Sequence, residues 1–354
     1  LWWYEWICER FGELPGAVWC VGQPEIWQIV CYYAGIFLLV FGRKYVEAWK
    51  RRGTYGEENV PGVIIHSNRF LHQIATVMIL GLLIGLLTGN FDRGSRVTFL
   101  DVGQGDGIVV ETGQGAYLFD CGSTSRKNIG EYVLKPYLKS RGICSLRGVF
   151  VSHPDEDHMN GILELLENGE EWGITAEQLF LPAIRESERR ETFEQLLAAA
   201  EDAGIPVSYI KCGDEIRDSQ LRLLCLHPEE NTTLADANAY SECFYVEIFA
   251  KKMKQEAIDD RKANDASGGS AIGKISILLT GDVEGEGERQ LTQRLQAVQE
   301  SRSLQESRSL QESWSLQESQ SLQTTRRLQE QRGQREFRVD ILKVAHHGSG
   351  YSTG

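Results

Sequence analysis

Two long uncharged runs stand apart from the rest of the hydrophobic pattern. Ile26–Gly42 (IWQIVCYYAGIFLLVFG) and Leu71–Leu87 (LHQIATVMILGLLIGLL) contain no Asp, Glu, Lys or Arg. Each approaches the ~20 apolar residues that a bilayer-crossing helix needs, and together they predict transmembrane helices over 26–42 and 71–89. From Arg96 the pattern changes to short β-type runs, Val97–Leu100, Ile108–Glu111 and Ala116–Phe119, separated by glycine-rich turns. A helical period follows through Ile129–Ser140. The apolar run LRGVFV (146–151) then reads as a buried strand, and GILELLE (161–167) as the first turns of a helix. Thr192–Ala203 predicts a further helix, and VSYIK (207–211) and LRLLCLH (221–227) predict strands in an alternation that runs to about Phe249. Strand-rich stretches with interspersed helices imply an α/β sandwich rather than a bundle.

Two polar stretches interrupt this pattern, 251–274 and 299–335. Within the second, Gln299–Leu322 is QESRSL, QESRSL, QESWSL, QESQSL. A period of six matches neither a helix face nor a solenoid with a bulky interior, so the repeat is expected to be a disordered or weakly helical insertion.

Charge adds direction. Arg43, Lys44, Lys50, Arg51, Arg52 and Arg69 all fall between the two apolar runs. By the positive-inside rule 43–70 is then a cytoplasmic loop, and both 1–25 and the chain after the second run are extracytoplasmic. Trp2, Trp3 and Trp6 fit an interfacial aromatic cluster. The net charge of −13 has the wrong sign for a surface that gathers nucleic acid by itself. A DNA contact would need a local basic groove, a bound metal or another part of a larger protein. The start at Leu1 and the end at Gly354, in a Gly/Ser/Thr-rich stretch, suggest a piece of a longer chain. The eight cysteines form no CxxC pair and read mostly as small buried residues. Cys8 and Cys20 are the one pair suggesting a disulfide.

The candidate chemistry lies in SHPDEDHMNG (152–161). His153, Asp155, Asp157 and His158 form H-x-D-x-D-H between a strand and a helix. Carboxylates crowded there without a partner raise one another's pKa. A divalent cation neutralises them, and four N/O donors suffice for half of a two-metal site. Other apolar runs also end in donor residues: ISILLTGD in Asp282, LRLLCLHP in His227, VDILKVAHHGS in His346 and His347.

This combination resembles the metallo-β-lactamase-fold hydrolases. The set FLDVGQGDGIVVE, FDCG, SHPDEDHMNG, LLTGD and LKVAHHGS, preceded by apolar runs and by LPGAVWCVGQP (14–24), more narrowly resembles the C-terminal part of the ComEC family, membrane channel proteins of natural DNA uptake. The resemblance implies an αββα sandwich over 96–354, incomplete at its C-terminus, behind two transmembrane helices. It implies two divalent ions, manganese or zinc, held by His153, Asp155, Asp157, His158, Asp282 and one of His346 and His347, with His346 preferred. His227 is the intervening histidine, or a capping residue. Asp157 and His347 would serve catalysis, the histidine by protonating the leaving oxygen. Asp101 and Asp120 would orient ligands or turns, and Gly103, Gly105 and Gly107 are tight-turn residues. Asp155 stands where the wider family has histidine, which favours harder ions such as manganese. The implied protein is a multi-pass cell-membrane protein with its hydrolase domain outside, cleaving phosphodiester bonds of the non-transported DNA strand. Its partners would be DNA, the lipid bilayer and other competence-machinery proteins. The alternatives are a non-catalytic strand-guiding part of the channel, or a membrane-anchored hydrolase of a lactone, thioester or β-lactam.

Overall fold

In a computed structural model of the protein, the described residues are 2–12, 20–53, 69–88, 94–185, 189–230, 238–250, 273–315 and 339–344. The chain divides into two units, Leu1–Asp92 with Tyr137–Ile143, and Arg93–Pro136 with Cys144–Gly354.

The first unit holds α1 (Trp2–Gly12), α2 (Ile26–Gly53) and α3 (Arg69–Thr88). α2 meets α3 where a side chain is missing: a Cβ on Gly35 would stand 2.6 Å from Leu83 Cδ2. Gln28, buried beside them, donates its Nε2 to Leu86 O at 2.6 Å. Much of the remaining apolar surface is uncovered, including Val30, Tyr33, Phe37 and Leu38 on α2 and Val77, Met78, Leu82 and Ile84 on α3. Among the described residues, however, no helix is long and apolar enough to cross a membrane. The expected crossings therefore lack structural support. α2 runs past its apolar stretch into the charged segment from Arg43 to Gly53, and α3 opens on Arg69 and includes His72 and Gln73. The expected Cys8–Cys20 disulfide does not form: Cys8 is free and exposed on α1. Three of the other cysteines, Cys121, Cys225 and Cys243, are buried.

In the second unit the strand expectations become two sheets. The first joins β1 (Arg96–Phe99), β2 (Gly107–Thr112), β3 (Gly115–Cys121), β4 (Ser145–Phe150), β6 (Leu179–Pro182) and β7 (Val207–Ile210) in that order, with the short β5 (Thr175–Ala176) also on β4. β1, β2 and β3 are antiparallel, whereas β3, β4, β6 and β7 run parallel. The second sheet has the order β12-β11-β10-β9-β8, from β12 (Ile341–Leu342), β11 (Gly273–Leu279), β10 (Cys243–Ala250), β9 (Leu221–His227) and β8 (Glu215–Arg217). Only β11 and β12 are parallel there. The inner faces meet in one core: Ile108, Val110, Phe119 and Phe150 from the first sheet pack with Leu223, Phe244, Val246 and Ile277 from the second.

Helices cover the outer faces. α5 (Glu156–Trp172) buries Met159, Ile162, Leu165, Leu166 and Trp172, an apolar stripe at helical spacing, and stops at Gly173 with φ 59°. α6 (Glu191–Asp202) buries Phe193, Leu196 and Ala200. α7 (Glu286–Ser315) sets Leu291 against Tyr245, Leu278 and Val283 on the outer side of the second sheet. The result is an αββα arrangement of mixed α/β type. Between β3 and β4, a π-type turn (Gly130–Leu134) leads into α4 (Lys135–Arg141). Of the two polar stretches, 251–272 lies outside the described residues and Gly273–Lys274 begin β11. The hexapeptide repeat is helical as far as Ser315, and 316–338 is outside the described residues.

Candidate metal centre

Four strands from the two sheets, β3, β4, β11 and β12, lead into the same place at their C-terminal ends. β3 ends at Asp120 and Cys121, and β4 leads through Ser152 to His153. β11 leads through Gly281 to Asp282, and β12 to Lys343. The H-x-D-x-D-H turn lies between β4 and α5, and its shape depends on glycine. A Cβ on Gly122 would stand 2.5 Å from Asp157 C, Glu156 O and His158 N. Gly105, at φ +155°, would drive a Cβ into Gly122 O and Asp157 O. The bare backbone lets the 103–107 loop dock on the turn, where Asp106 N donates to Asp157 O at 3.0 Å and Gly122 N to Asp106 O at 2.9 Å. That docking carries the Asp106 side chain into the site.

Two overlapping donor groups result, His153 with Asp157 and His158, and Asp106 with His158 and Asp282; in each, the donor atoms all lie within 4.8 Å of one another. His153 and His158 are fully buried, their ring centroids 4.1 Å apart. His158 is the shared member. Its Nδ1 is 3.1 Å from Asp120 Oδ2 and its Nε2 is 3.4 Å from Asp282 Oδ2. Asp120, held at φ 52°, also accepts Ser152 N at 2.7 Å through its other oxygen, so it orients the imidazole and the turn together. Ser241 Oγ bridges the halves, lying 3.3 Å from both His153 Nδ1 and Asp282 N.

The remaining expected donors are placed differently. Asp155 is in neither group: its Oδ1 accepts from Arg190 Nη1 at 3.1 Å, and its Oδ2 is 3.7 Å from His153 Nε2. His227 is also in neither group. Its Nε2 donates to Ala239 O at 2.7 Å, next to the cis His227–Pro228 bond. His346 and His347 lie outside the described residues. Asp101 is exposed and pairs with Arg126 at 3.4 Å.

Two residues at the centre escaped the sequence reading. Asp106 was legible only as the acid between the turn glycines of GQGDG. Lys343 ends an apolar run as the other site residues do, but a lysine there carries no metal-donor signal. Its Nζ donates to Gly281 O at 2.6 Å and to Asp282 Oδ1 at 3.0 Å, and also pairs with Asp106 Oδ2.

Residues 100–209 match the family described as Metallo-beta-lactamase superfamily. Over 273 residues the chain is 25% identical to ComE operon protein 3 of Bacillus subtilis (strain 168), an alignment covering 73% of this chain and 26% of that protein. The chain is ComEC-like, with a metallo-β-lactamase-type fold. It spans about a quarter of the length of that relative. Among solved structures it is similar to the metallo-β-lactamase fold protein YhfI from Bacillus subtilis, at 17% identity, 40% of this chain, 50% of that one and a TM-score of 0.27. It is also similar to a metallo-β-lactamase from Staphylococcus aureus subsp. aureus COL, at 10% identity, 58% and 52% coverage and a TM-score of 0.33.

The electrostatics of the centre follow from burial and crowding. Burial opposes charge on His158, but the Asp120 carboxylate outweighs it, with help from Asp282 and Asp106, and its pKa is pushed up to about 10. Burial, then the neighbouring His158, holds His153 well below the usual histidine value. Asp282 is buried too, yet His158 and then Lys343 keep its carboxyl well below the usual range. Burial raises Asp106, while the Lys343 and His158 cations pull it back. Lys343 is raised: burial opposes its charge, and Asp106 and Asp282 together outweigh that. Burial lowers His227 as well.

Proposed function

We propose that this chain is the metal-dependent hydrolase part of a DNA-uptake membrane protein, cleaving phosphodiester bonds of the strand that is not transported. One observation carries the reading: His153, Asp157 and His158 converge with Asp106 and Asp282, delivered from both sheets of a ComEC-like chain. The donor set fits a divalent ion, because two imidazoles and a carboxylate bring N and O donor atoms within 4.8 Å of one another. His153, Asp157 and His158 would hold it. Asp155 stands close enough to His153 to join them once released by Arg190, and His346 is the proposed last ligand. When bound, a divalent ion polarises a phosphoryl oxygen and acidifies water. The protein's own groups do the rest. Asp120 fixes the His158 ring, and Ser241 ties His153 to the Asp282 backbone. Lys343 sets a positive charge beside Asp282, and His347 is the proposed proton donor to the leaving oxygen.

The wider setting is part of the same proposal. The exposed apolar faces of α2 and α3 would be covered by lipid, the basic stretch 43–70 would face the cytoplasm, and the hydrolase domain 96–354 would lie outside. DNA and other competence-machinery proteins would be its partners. The test incubates the full chain in detergent with manganese and labelled single- and double-stranded DNA. Cleavage by wild type that disappears in Asp157→Ala supports the reading. Manganese binding without cleavage of either DNA overturns it in favour of a non-catalytic, strand-guiding role.

A further inference from the structure

We infer that Lys343 is a built-in cation standing in the second cation position, so that this centre takes one divalent ion and not two. The inference rests on reading the site as a metal centre and specifies its stoichiometry. The second donor group, Asp106 with His158 and Asp282, is where a second ion would sit. Two of its three members are already bound by one ammonium. Lys343 Nζ reaches Gly281 O at 2.6 Å, Asp282 Oδ1 at 3.0 Å and Asp106 Oδ2. An ammonium has three protons to donate, and these three oxygens use all of them.

The lysine is held there by more than its charge. β12 pairs in parallel with β11, Ile341 opposite Ile277 and Leu342 opposite Leu278. The ladder continues with Lys343 N donating to Leu278 O at 2.9 Å, and Thr280 Oγ1 donates to Lys343 O at 2.8 Å. Backbone bonds on both sides therefore aim the side chain inward, where it is 8% exposed. A lysine this buried keeps its charge only with compensating carboxylates, and Asp106 and Asp282 supply them.

Asp282 thus still bridges two positive centres, but of unequal kind. Its Oδ2 faces His158 Nε2 at 3.4 Å and its Oδ1 faces the ammonium at 3.0 Å. A second divalent ion on the same oxygens would have to sit within a few ångström of a fixed positive charge, and in a buried site that repulsion is poorly screened. The ammonium hydrogen-bonds or pairs with Gly281, Asp282 and Asp106, so it occupies the carboxylates of the second group, while its effect on His153 in the first group is that of a nearby charge. One ion there and one ammonium across Asp282 would present two adjacent positive charges to a phosphodiester.

The test counts ions without DNA. Equilibrium dialysis of the full chain against manganese, with electron paramagnetic resonance of the bound ion, should give one ion per chain and the spectrum of an isolated Mn(II). Lys343→Met, checked for folding by thermal melting, should rise to two ions and show a spin-coupled pair, while Lys343→Arg should stay at one. Two coupled ions in wild type overturn the inference, as does a folded Lys343→Met that still binds one. Wild-type stoichiometry decides the matter by itself if the Met variant does not fold. One bound ion with no DNA cleavage supports this inference while overturning the nuclease reading. No bound ion overturns both.

Discussion

Ion binding at the 153–158 turn should release about one proton, and its source should be His158. In the ion-free protein the Asp120 carboxylate and its neighbours push the His158 pKa up to about 10. At pH 7.5 that ring is therefore expected to be protonated. His153, held well below its usual value by burial and by His158, is already neutral and has no proton to give. A coordinating imidazole must be neutral at the donor atom, so manganese has to displace the His158 proton. The association constant should rise about tenfold per pH unit between about pH 7 and pH 9. Calorimetric titration at pH 7.5 in buffers of different ionisation enthalpy should give a slope near one proton released. Asp120→Asn removes the leading charge that raises His158, and its slope should fall well below one. A slope near zero in wild type with ion bound would refute the assignment of His158 as a charged, ion-displaceable ligand. Stability in the absence of metal follows the same sign. Because the folded pKa is raised above the reference value of 6.5, this stabilisation is complete below about pH 6.5 and is lost as pH climbs through about 10.

Gly122→Ala would put a methyl carbon 2.5 Å from three backbone atoms of the Glu156–His158 turn. Since the neighbours are backbone and cannot swing aside, we expect a loss of about 1–3 kcal/mol, read as a lower midpoint in thermal melting, with manganese affinity falling alongside; an unchanged midpoint would show that the close approach carries no cost. Glu242 is fully buried, its two carboxyl oxygens have no hydrogen-bond partner among the described residues, and burial then the nearby Asp120 push its pKa well above the usual range. The unfolded chain ionises this group above about pH 4.3 while the folded chain resists, so the ion-free fold loses stability as pH rises from there. Glu242→Gln should therefore be more stable than wild type at pH 7.5 and lose that advantage near pH 4, and an advantage equal at both values would count against the buried neutral carboxyl.

The reach of sequence reading here follows the range of the forces involved. The strand at 146–151 and the helix after it were legible because alternation and helical spacing are local, and they became β4 and α5. The H-x-D-x-D-H turn was legible because so many charges directly after an apolar run have no local explanation. What the turn does with those charges was not legible residue by residue. Asp155 looks equivalent to Asp157 in the motif, yet Arg190, thirty-five positions away, draws it outward. His227 ends a strand as Asp282 does, but its proton goes to Ala239 O. Asp106 enters the centre only because two glycines let its loop lie on the turn backbone, and no periodicity marks that contact. Lys343 depends on the parallel register between Ile277 and Ile341, strands separated by a long polar stretch. The repeat shows the same limit in reverse: its six-residue period fits no amphipathic helix, yet α7 carries helix into it through Ser315, starting from a packed turn around Leu291. A search for donor residues at strand ends finds the groups that attract a cation and passes over the group that replaces one. Charge balance supplies the missing test: wherever buried carboxylates from separate strands converge, every basic side chain ending a neighbouring strand competes with the metal for the same oxygens, and Lys343 meets that condition at Asp106 and Asp282.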